Sequence, residues 1–124
     1  MSVHKILLAD DEIALRFLLT ETLSDEGYEI TEVEDGLQAI EQLQKQSYDL
    51  IILDYMMPER TGVEVCEWLR QSGHGNQDLP VILLTAKALE KDKEKAKAAG
   101  ATTYIVKPFS PLQLLDTVQQ LLEG

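Results

Sequence analysis

The chain has 124 residues, of which 44% are apolar and 27% are charged, so it has the size and composition of one globular domain over residues 1–124. This composition argues against a disordered chain or a small disulfide scaffold. Asp and Glu outnumber Lys and Arg by 22 to 11, and the net charge of −11 repels nucleic-acid phosphates and anionic lipids. We therefore expect no direct binding to nucleic acid or to a membrane.

The cysteine content and the N-terminus bear on the compartment. Cys66 has no second cysteine to pair with, and its apolar surroundings are typical of a small core side chain in a reducing environment. The apolar run 6–9 is followed at once by three acidic residues, which leaves it too short for a signal peptide or a membrane span. These features predict a cytoplasmic protein.

Short apolar runs alternate with stretches of helical spacing along the whole chain. In chain order the sequence predicts a strand over 5–9, a helix over about 12–26, a strand over 28–33, a helix over about 37–46, a strand over 50–53, a helix over about 62–72, a strand over 81–84, a helix over about 88–99, a strand over 104–106 and a helix over about 111–122. Such alternation, with right-handed crossovers, indicates a parallel sheet covered by helices on both faces.

The character of the strands predicts their order. The first, third and fourth runs are continuously apolar, as strands buried on both faces must be, whereas the second is polar at intervals, like an edge strand. A doubly wound, flavodoxin-like α/β fold with strand order 2-1-3-4-5 places the second strand at an edge. It also puts the first and third strands side by side where the winding reverses.

Polar side chains follow four of the predicted strands. Asp10 and Asp11 follow the first, Asp54 the third, Thr85 the fourth and Lys107 the fifth. Each alone has a plain structural explanation, such as capping a helix or solvating a strand end. Together they lie at the carboxyl edge of the sheet, where ligands bind in folds of this kind.

Three carboxylates at this edge need a cation. At about 5 Å, each pair repels by roughly 3 kcal/mol at an effective dielectric near 20. An oxygen-only ligand set suits Mg²⁺. The same parts suit phosphoryl transfer to a carboxylate, and Asp54 is the expected nucleophile because it stands alone after the central strand, whereas Asp10 and Asp11 form a pair suited to the metal.

Four segments resemble, in order and spacing, those of the response regulator receiver domain of two-component signalling. They are residues 6–12 (ILLADDE), 50–58 (LIILDYMMP) with Gly62, 83–86 (LLTA) and 107–109 (KPF). The resemblance covers essentially the whole chain. It implies a single receiver domain of chemotaxis or phosphorelay type, which acts as a phosphorylation-dependent switch. Such a domain catalyses its own phosphorylation and dephosphorylation but turns over no separate substrate.

The resemblance also implies roles for individual residues. Asp54 would accept the phosphoryl group, and Thr85 and Lys107 would contact its oxygens. Tyr104 would be an aromatic switch acting together with Thr85, and the Lys107–Pro108 bond would be cis. The Mg²⁺ ligands would be Asp10, Asp11, Asp54 and the backbone carbonyl of Met56.

Two positions near the site vary within the family and are thought to tune the lifetime of the phosphoryl group. Here they are Met56 and Lys87, neither of which offers a carboxylate or an amide to activate water. The sequence therefore predicts comparatively slow self-dephosphorylation.

The resemblance implies partners of two kinds. A sensor histidine kinase or a histidine phosphotransfer protein would donate the phosphoryl group, and a downstream effector protein or output domain would read the change at the fourth helix, fifth strand and fifth helix. On the first helix, Ile13 and Phe17 lie nearly opposite a set of leucines, so we expect them to be exposed. The leucines are Leu15, Leu18, Leu19 and Leu23. The resemblance implies that the donor docks near this helix, which makes Ile13 and Phe17 candidate donor contacts.

Other functions and contexts stay open at this point. An Mg²⁺-dependent phosphohydrolase with an aspartyl-phosphate intermediate would use a second Asp two residues after the nucleophile, where this sequence has Met56. A flavodoxin-like FMN carrier would need a phosphate loop after the first strand, where Asp10 and Asp11 repel phosphate. The sequence does not distinguish a stand-alone receiver from part of a longer regulator or hybrid kinase.

Overall fold

The structure, a computed structural model, describes residues 3–73, 75–86 and 90–123. Within these residues, five parallel strands form one sheet in the predicted order 2-1-3-4-5, and five helices connect and cover them. The strands are β1 (Lys5–Ala9), β2 (Glu29–Val33), β3 (Leu50–Asp54), β4 (Val81–Thr85) and β5 (Thr103–Val106). The helices are α1 (Ile13–Ser24), α2 (Gly36–Lys45), α3 (Gly62–Gln71), α4 (Glu90–Ala99) and α5 (Pro111–Glu123).

The predicted boundaries differ from the observed ones mainly at element ends. The third and fourth strands each run one residue further than predicted, so that Asp54 and Thr85 belong to the sheet. The reason is that the ladder continues beyond the apolar runs: the Tyr55 amide donates to the Leu84 carbonyl at 2.8 Å, and the Lys107 amide donates to the Thr85 carbonyl at 2.7 Å. Both site side chains are therefore held by paired backbone. The first two residues predicted for α4, 88 and 89, lie outside the described residues.

Apolar side chains pack on both faces of the sheet. Alternate residues of β1, such as Leu7 and Leu8, point to opposite faces because the side-chain period of a strand is two. One cluster packs with α2, α3 and α4, and the other packs with α1 and α5. Burying one such leucine contributes roughly 1.5–3 kcal/mol. This packing on two sides is why the central strands are continuously apolar, while β2 at the edge leaves Glu29 and Glu32 exposed.

Local signals fix the helix ends. The Asp35 carboxylate accepts from the Gln38 amide at 2.8 Å, and the Ser110 hydroxyl accepts from the Gln113 amide at 3.1 Å, as N-caps do. Helix α1 ends at Ser24, two residues earlier than predicted, because the chain turns through Gly27 at a φ of +92°. Within the described ranges, no helix is both long and apolar enough to cross a membrane.

Cys66 is a core residue, as predicted. It is completely buried on α3, and its Sγ donates to the Ala99 carbonyl at 3.3 Å. Burial raises the pKa of the thiol to about 11, so the reactive thiolate is disfavoured near neutral pH.

Candidate functional site

Three carboxylates meet at the carboxyl edge of the sheet. Asp10 follows β1, Asp11 begins the turn into α1, and Asp54 is the last residue of β3. Strands β1 and β3 are paired neighbours, so their carboxyl ends lie side by side. One ligand oxygen from each carboxylate lies within 4.8 Å of the other two. We call these three residues the acidic cluster.

Asp10 is held in place through its backbone and through one side-chain oxygen. Its amide donates to the Val33 carbonyl at 3.2 Å, and its Oδ1 accepts from the Glu12 amide at 2.8 Å. Its Oδ2 is buried and accepts no hydrogen bond from the described residues. A buried carboxylate oxygen without a donor is costly, and in an all-oxygen cluster it has the chemistry of a ligand for a hard divalent cation. The residues present therefore fit Mg²⁺.

The environment of Asp10 disfavours its charged form. Burial, with a smaller contribution from the neighbouring Asp54 charge, outweighs the lowering effects of the Glu12 amide and Lys107, so that the pKa of Asp10 is raised from its ordinary 3.8 to about 6. Without a bound cation, Asp10 therefore exchanges a proton near pH 6. A metal ion at the cluster would keep the carboxylate ionised.

Lys107 extends from the end of β5 to Asp54 across β4. Its Nζ lies 3.1 Å from Asp54 Oδ2, and the two side chains are only 22% and 8% exposed, so water screens this ion pair less than one at the surface. Thr85 is buried at the end of β4, between them in strand order. The Lys107–Pro108 bond is cis, as predicted. The sheet thus brings together a carboxylate, a hydroxyl and an ammonium group.

The loop after β3 folds back against the strand end. The Gly62 amide donates to the Tyr55 carbonyl at 2.9 Å, and a Cβ at position 62 would lie 2.4 Å from the Asp54 carbonyl oxygen. Only glycine fits this close approach. The Met56 side chain is 67% exposed, and the Met56 carbonyl accepts no hydrogen bond from the part of the chain that the structure describes, which leaves its lone pairs available to a metal.

The remaining predicted residues lie around this centre. Tyr104 is half-buried on β5, with the Lys93 ammonium 5.9 Å from its ring centroid in a cation–π contact. Ile13 and Phe17 are 73% and 65% exposed, as predicted from their side of α1. Lys87 lies outside the described residues.

The leucines on one side of α1 are not all buried. Leu19 and Leu23 are completely buried against the sheet, whereas Leu18 is 47% exposed. The buried stripe of this helix is narrower than the leucine pattern suggests, and one residue corresponds to a rotation of about 100°. Leu18 therefore adds to the exposed apolar surface of α1.

Arg16 also contacts the site, although its sequence position did not predict this. From α1, its Nη1 donates to the Asp10 carbonyl at 2.6 Å, and its Nε donates to Glu32 Oε1 at 3.1 Å. The residues around Arg16 carry no motif that distinguishes it from other helix residues, and its partner Glu32 lies 16 residues away on β2. No sequence signal marked Arg16, because its role depends on contacts made by the fold.

A flavodoxin-like sheet with an acidic cluster and a lysine at its carboxyl edge defines a class of signalling domain, and comparison with known families agrees. The model of the response regulator receiver domain family matches residues 6–119, so the chain belongs to this family. It is a receiver domain of two-component signalling.

Individual members of the family show how similar this chain is to known response regulators. It is 44% identical over 118 residues to the transcriptional regulatory protein ResD of Bacillus subtilis, covering 95% of this chain and 48% of ResD. The chain thus spans about half the length of the curated relatives it matches. The structure of the chemotaxis response regulator CheY4 of Vibrio cholerae is similar, with a TM-score of 0.91 and 38% identity over 98% of this chain and 100% of that one.

A further similar structure bears on the metal. The receiver domain of the sensor histidine kinase PA1611 of Pseudomonas aeruginosa superposes with a TM-score of 0.89 and 32% identity, covering 99% of this chain and 100% of that one. That structure is described with a magnesium ion coordinated in its active site cleft.

Proposed function

We propose that this domain is a phosphorylation-dependent switch in which Asp54 accepts a phosphoryl group with Mg²⁺ bound at the acidic cluster. The observation that carries the proposal is the surroundings of Asp54. Its carboxylate ends the central strand, lies 3.1 Å from the Lys107 ammonium and has an oxygen within 4.8 Å of oxygens from both other acidic residues. A nucleophilic carboxylate between a fixed cation and a metal-ligand set is suited to phosphoryl transfer.

The proposed step is an in-line displacement at phosphorus. An oxygen of the Asp54 carboxylate forms a bond to phosphorus, while the bond from phosphorus to the donor atom breaks and its electron pair leaves with the donor. Lys107 donates hydrogen bonds to the phosphoryl oxygens and offsets their charge. Mg²⁺ held by Asp10, Asp11, Asp54 and the Met56 carbonyl would neutralise further negative charge there.

The proposed response passes from Asp54 to the neighbouring strands. The Thr85 hydroxyl bonds to the new phosphoryl oxygens, and the half-buried Tyr104 ring on β5 changes position with it. Because a ligand shifts an equilibrium only by its differential interaction with the two states, these contacts must form mainly in the phosphorylated state. The change then alters partner binding at the α4, β5 and α5 face.

Met56 favours a switch over a phosphohydrolase. Its exposed thioether occupies the position where a phosphohydrolase would carry a general acid or base, and a thioether takes up no proton to activate water. We therefore propose that the phosphoryl group persists, and that the domain turns over no separate substrate.

We propose a histidine kinase or a histidine phosphotransfer protein as the donor, with Ile13 and Phe17 in the contact. The phosphorylated domain then acts on an effector protein or an output domain. We further propose that residues 1–124 act as a single receiver unit. The net charge of −11 supports signalling through proteins rather than direct contact with nucleic acid.

Intact mass spectrometry after incubation with acetyl phosphate tests this function. The wild type should gain one phosphoryl group with Mg²⁺ and none with excess chelator. Asp54→Asn should abolish the adduct, and Asp78→Asn, at an exposed loop residue, should leave it unchanged. A lasting adduct on Asp54→Asn would overturn the proposal, and consumption of the donor without an adduct would indicate a phosphohydrolase.

A further inference from the structure

Arg16 links the acidic cluster to the edge strand β2. It lies on α1 with a side chain only 14% exposed, and it bonds at once to the Asp10 carbonyl (2.6 Å) and to the Glu32 carboxylate on β2 (3.1 Å). A guanidinium group is planar and rigid, so one bond to the residue after β1 and one to β2 together fix its plane. Arg16 therefore connects the end of β1 to β2 without bonding to a carboxylate of the acidic cluster.

This contact completes the restraint on Asp10. The Asp10 amide is bonded to the Val33 carbonyl, its Oδ1 to the Glu12 amide and its carbonyl to Arg16, while its Oδ2 has no hydrogen-bond partner among the described residues. The Arg16 bond also fixes the peptide that joins Asp10 to Asp11. The orientation of this peptide determines where the Asp11 side chain begins, and so where two of the three cluster carboxylates lie.

The charge of Arg16 does not explain its position. A cation beside a cation-binding site would repel the metal, but the Glu32 carboxylate lies 3.1 Å from the Arg16 Nε and largely neutralises it. Lys107 differs in this respect because its ammonium bonds directly to a cluster carboxylate. The contribution of Arg16 to the site is therefore geometric.

We propose that Arg16 is a positioning residue for the Mg²⁺ site, acting through the Asp10 carbonyl. The inference rests on the proposed binding of Mg²⁺ at the acidic cluster. Residues that orient metal ligands typically change metal affinity by about 10–100-fold when they are replaced. We expect Arg16→Met to weaken Mg²⁺ binding by about tenfold, and Arg16→Lys, which keeps the charge but not the planar fork, to give an intermediate value.

The test measures Mg²⁺ dissociation constants by calorimetry, together with denaturant unfolding in chelator. Arg70→Met is the matched control. Arg70 also donates to backbone carbonyls, those of Gly100, Gln77 and Leu79. These residues precede β4 and β5, so they lie at the amino-terminal ends of the strands, away from the acidic cluster. Replacement of Arg70 should lower stability and leave the Mg²⁺ dissociation constant unchanged.

The outcomes separate this inference from the proposed function. Weaker Mg²⁺ binding in Arg16→Met than in Arg70→Met, at equal or higher stability, supports the positioning role. If the wild type binds Mg²⁺ and both Arg16 variants bind it within twofold of the wild type, the positioning role is overturned while the proposed function stands. If the wild type binds no Mg²⁺ at millimolar concentrations, both are overturned.

Discussion

The raised pKa of Asp10 predicts that Mg²⁺ binding weakens steeply below pH 6. Mg²⁺ binds the ionised carboxylate, whereas burial and the Asp54 charge hold the pKa of metal-free Asp10 at about 6. At that pKa, about 90% of Asp10 is ionised at pH 7 and about 10% at pH 5. The apparent dissociation constant should therefore rise about tenfold between pH 7 and pH 5. A carboxyl with the ordinary value of 3.8 would give a change of less than about 10%.

The same shift changes the stability of the metal-free domain in a defined direction. Because the folded-state pKa lies above the unfolded value, folding favours the protonated form, and stability falls as pH rises from 3.8 towards 6. The two pKa values differ by about 2, which at about 1.4 kcal/mol for each pH unit corresponds to a loss of about 3 kcal/mol. Saturating Mg²⁺ should remove most of this loss at pH 7.

Calorimetric titration with Mg²⁺ at pH 5, 6, 7 and 8 measures the first effect, and urea unfolding in chelator over the same range measures the second. Asp10→Asn is the control, because it removes the titrating group and should abolish the pH dependence of whatever binding remains. A wild-type dissociation constant that changes by less than twofold between pH 5 and pH 7 would show that Asp10 does not control Mg²⁺ binding through its protonation.

Three further predictions concern other parts of the site. Lys107→Met removes the cation 3.1 Å from Asp54 and should slow adduct formation from acetyl phosphate by about a hundredfold, and a rate within threefold of the wild type would contradict its role. Gly62→Ala places a Cβ 2.4 Å from the Asp54 carbonyl oxygen and should lower the free energy of unfolding by about 1–3 kcal/mol in urea, whereas Gly75→Ala, with open space around it, should be nearly neutral. Phe17→Ala, at a 65% exposed side chain, should slow phosphotransfer from the cognate donor protein but not from acetyl phosphate, and equal slowing with both donors would argue against a docking contact.

The sequence predicts the placement of the site because the fold follows from simple patterns. A buried parallel strand must be apolar, so the polar residue that ends each run marks the carboxyl edge of the sheet. Once the strand order is known, Asp10, Asp54 and Lys107 must lie at one edge despite their separation in the chain. The spacing of Thr61 and Glu64 likewise matches the capping box that begins α3.

Sequence patterns do not predict features that depend on contacts between distant parts of the fold. Asp10 and Asp11 are the same residue type at adjacent positions, yet Asp10 is completely buried while Asp11 is exposed, since the chain turns away from the sheet between them. The predicted strand order places β2 near α1, but it does not specify that Arg16 pairs with Glu32 and with the Asp10 carbonyl. Leu18 is exposed because the width of the buried stripe on α1 depends on how the helix sits on the sheet.

Locating the phosphoryl group on the chain tests directly whether Asp54 is the phosphoacceptor. After incubation with acetyl phosphate and Mg²⁺, borohydride reduction converts a phosphorylated aspartate to homoserine, which peptide mass spectrometry places on the sequence. We expect homoserine at position 54 alone, and none in samples prepared with chelator. Homoserine at position 10 or 11, or modification that is independent of Mg²⁺, would contradict the assignment of Asp54 as the phosphoacceptor beside a metal site.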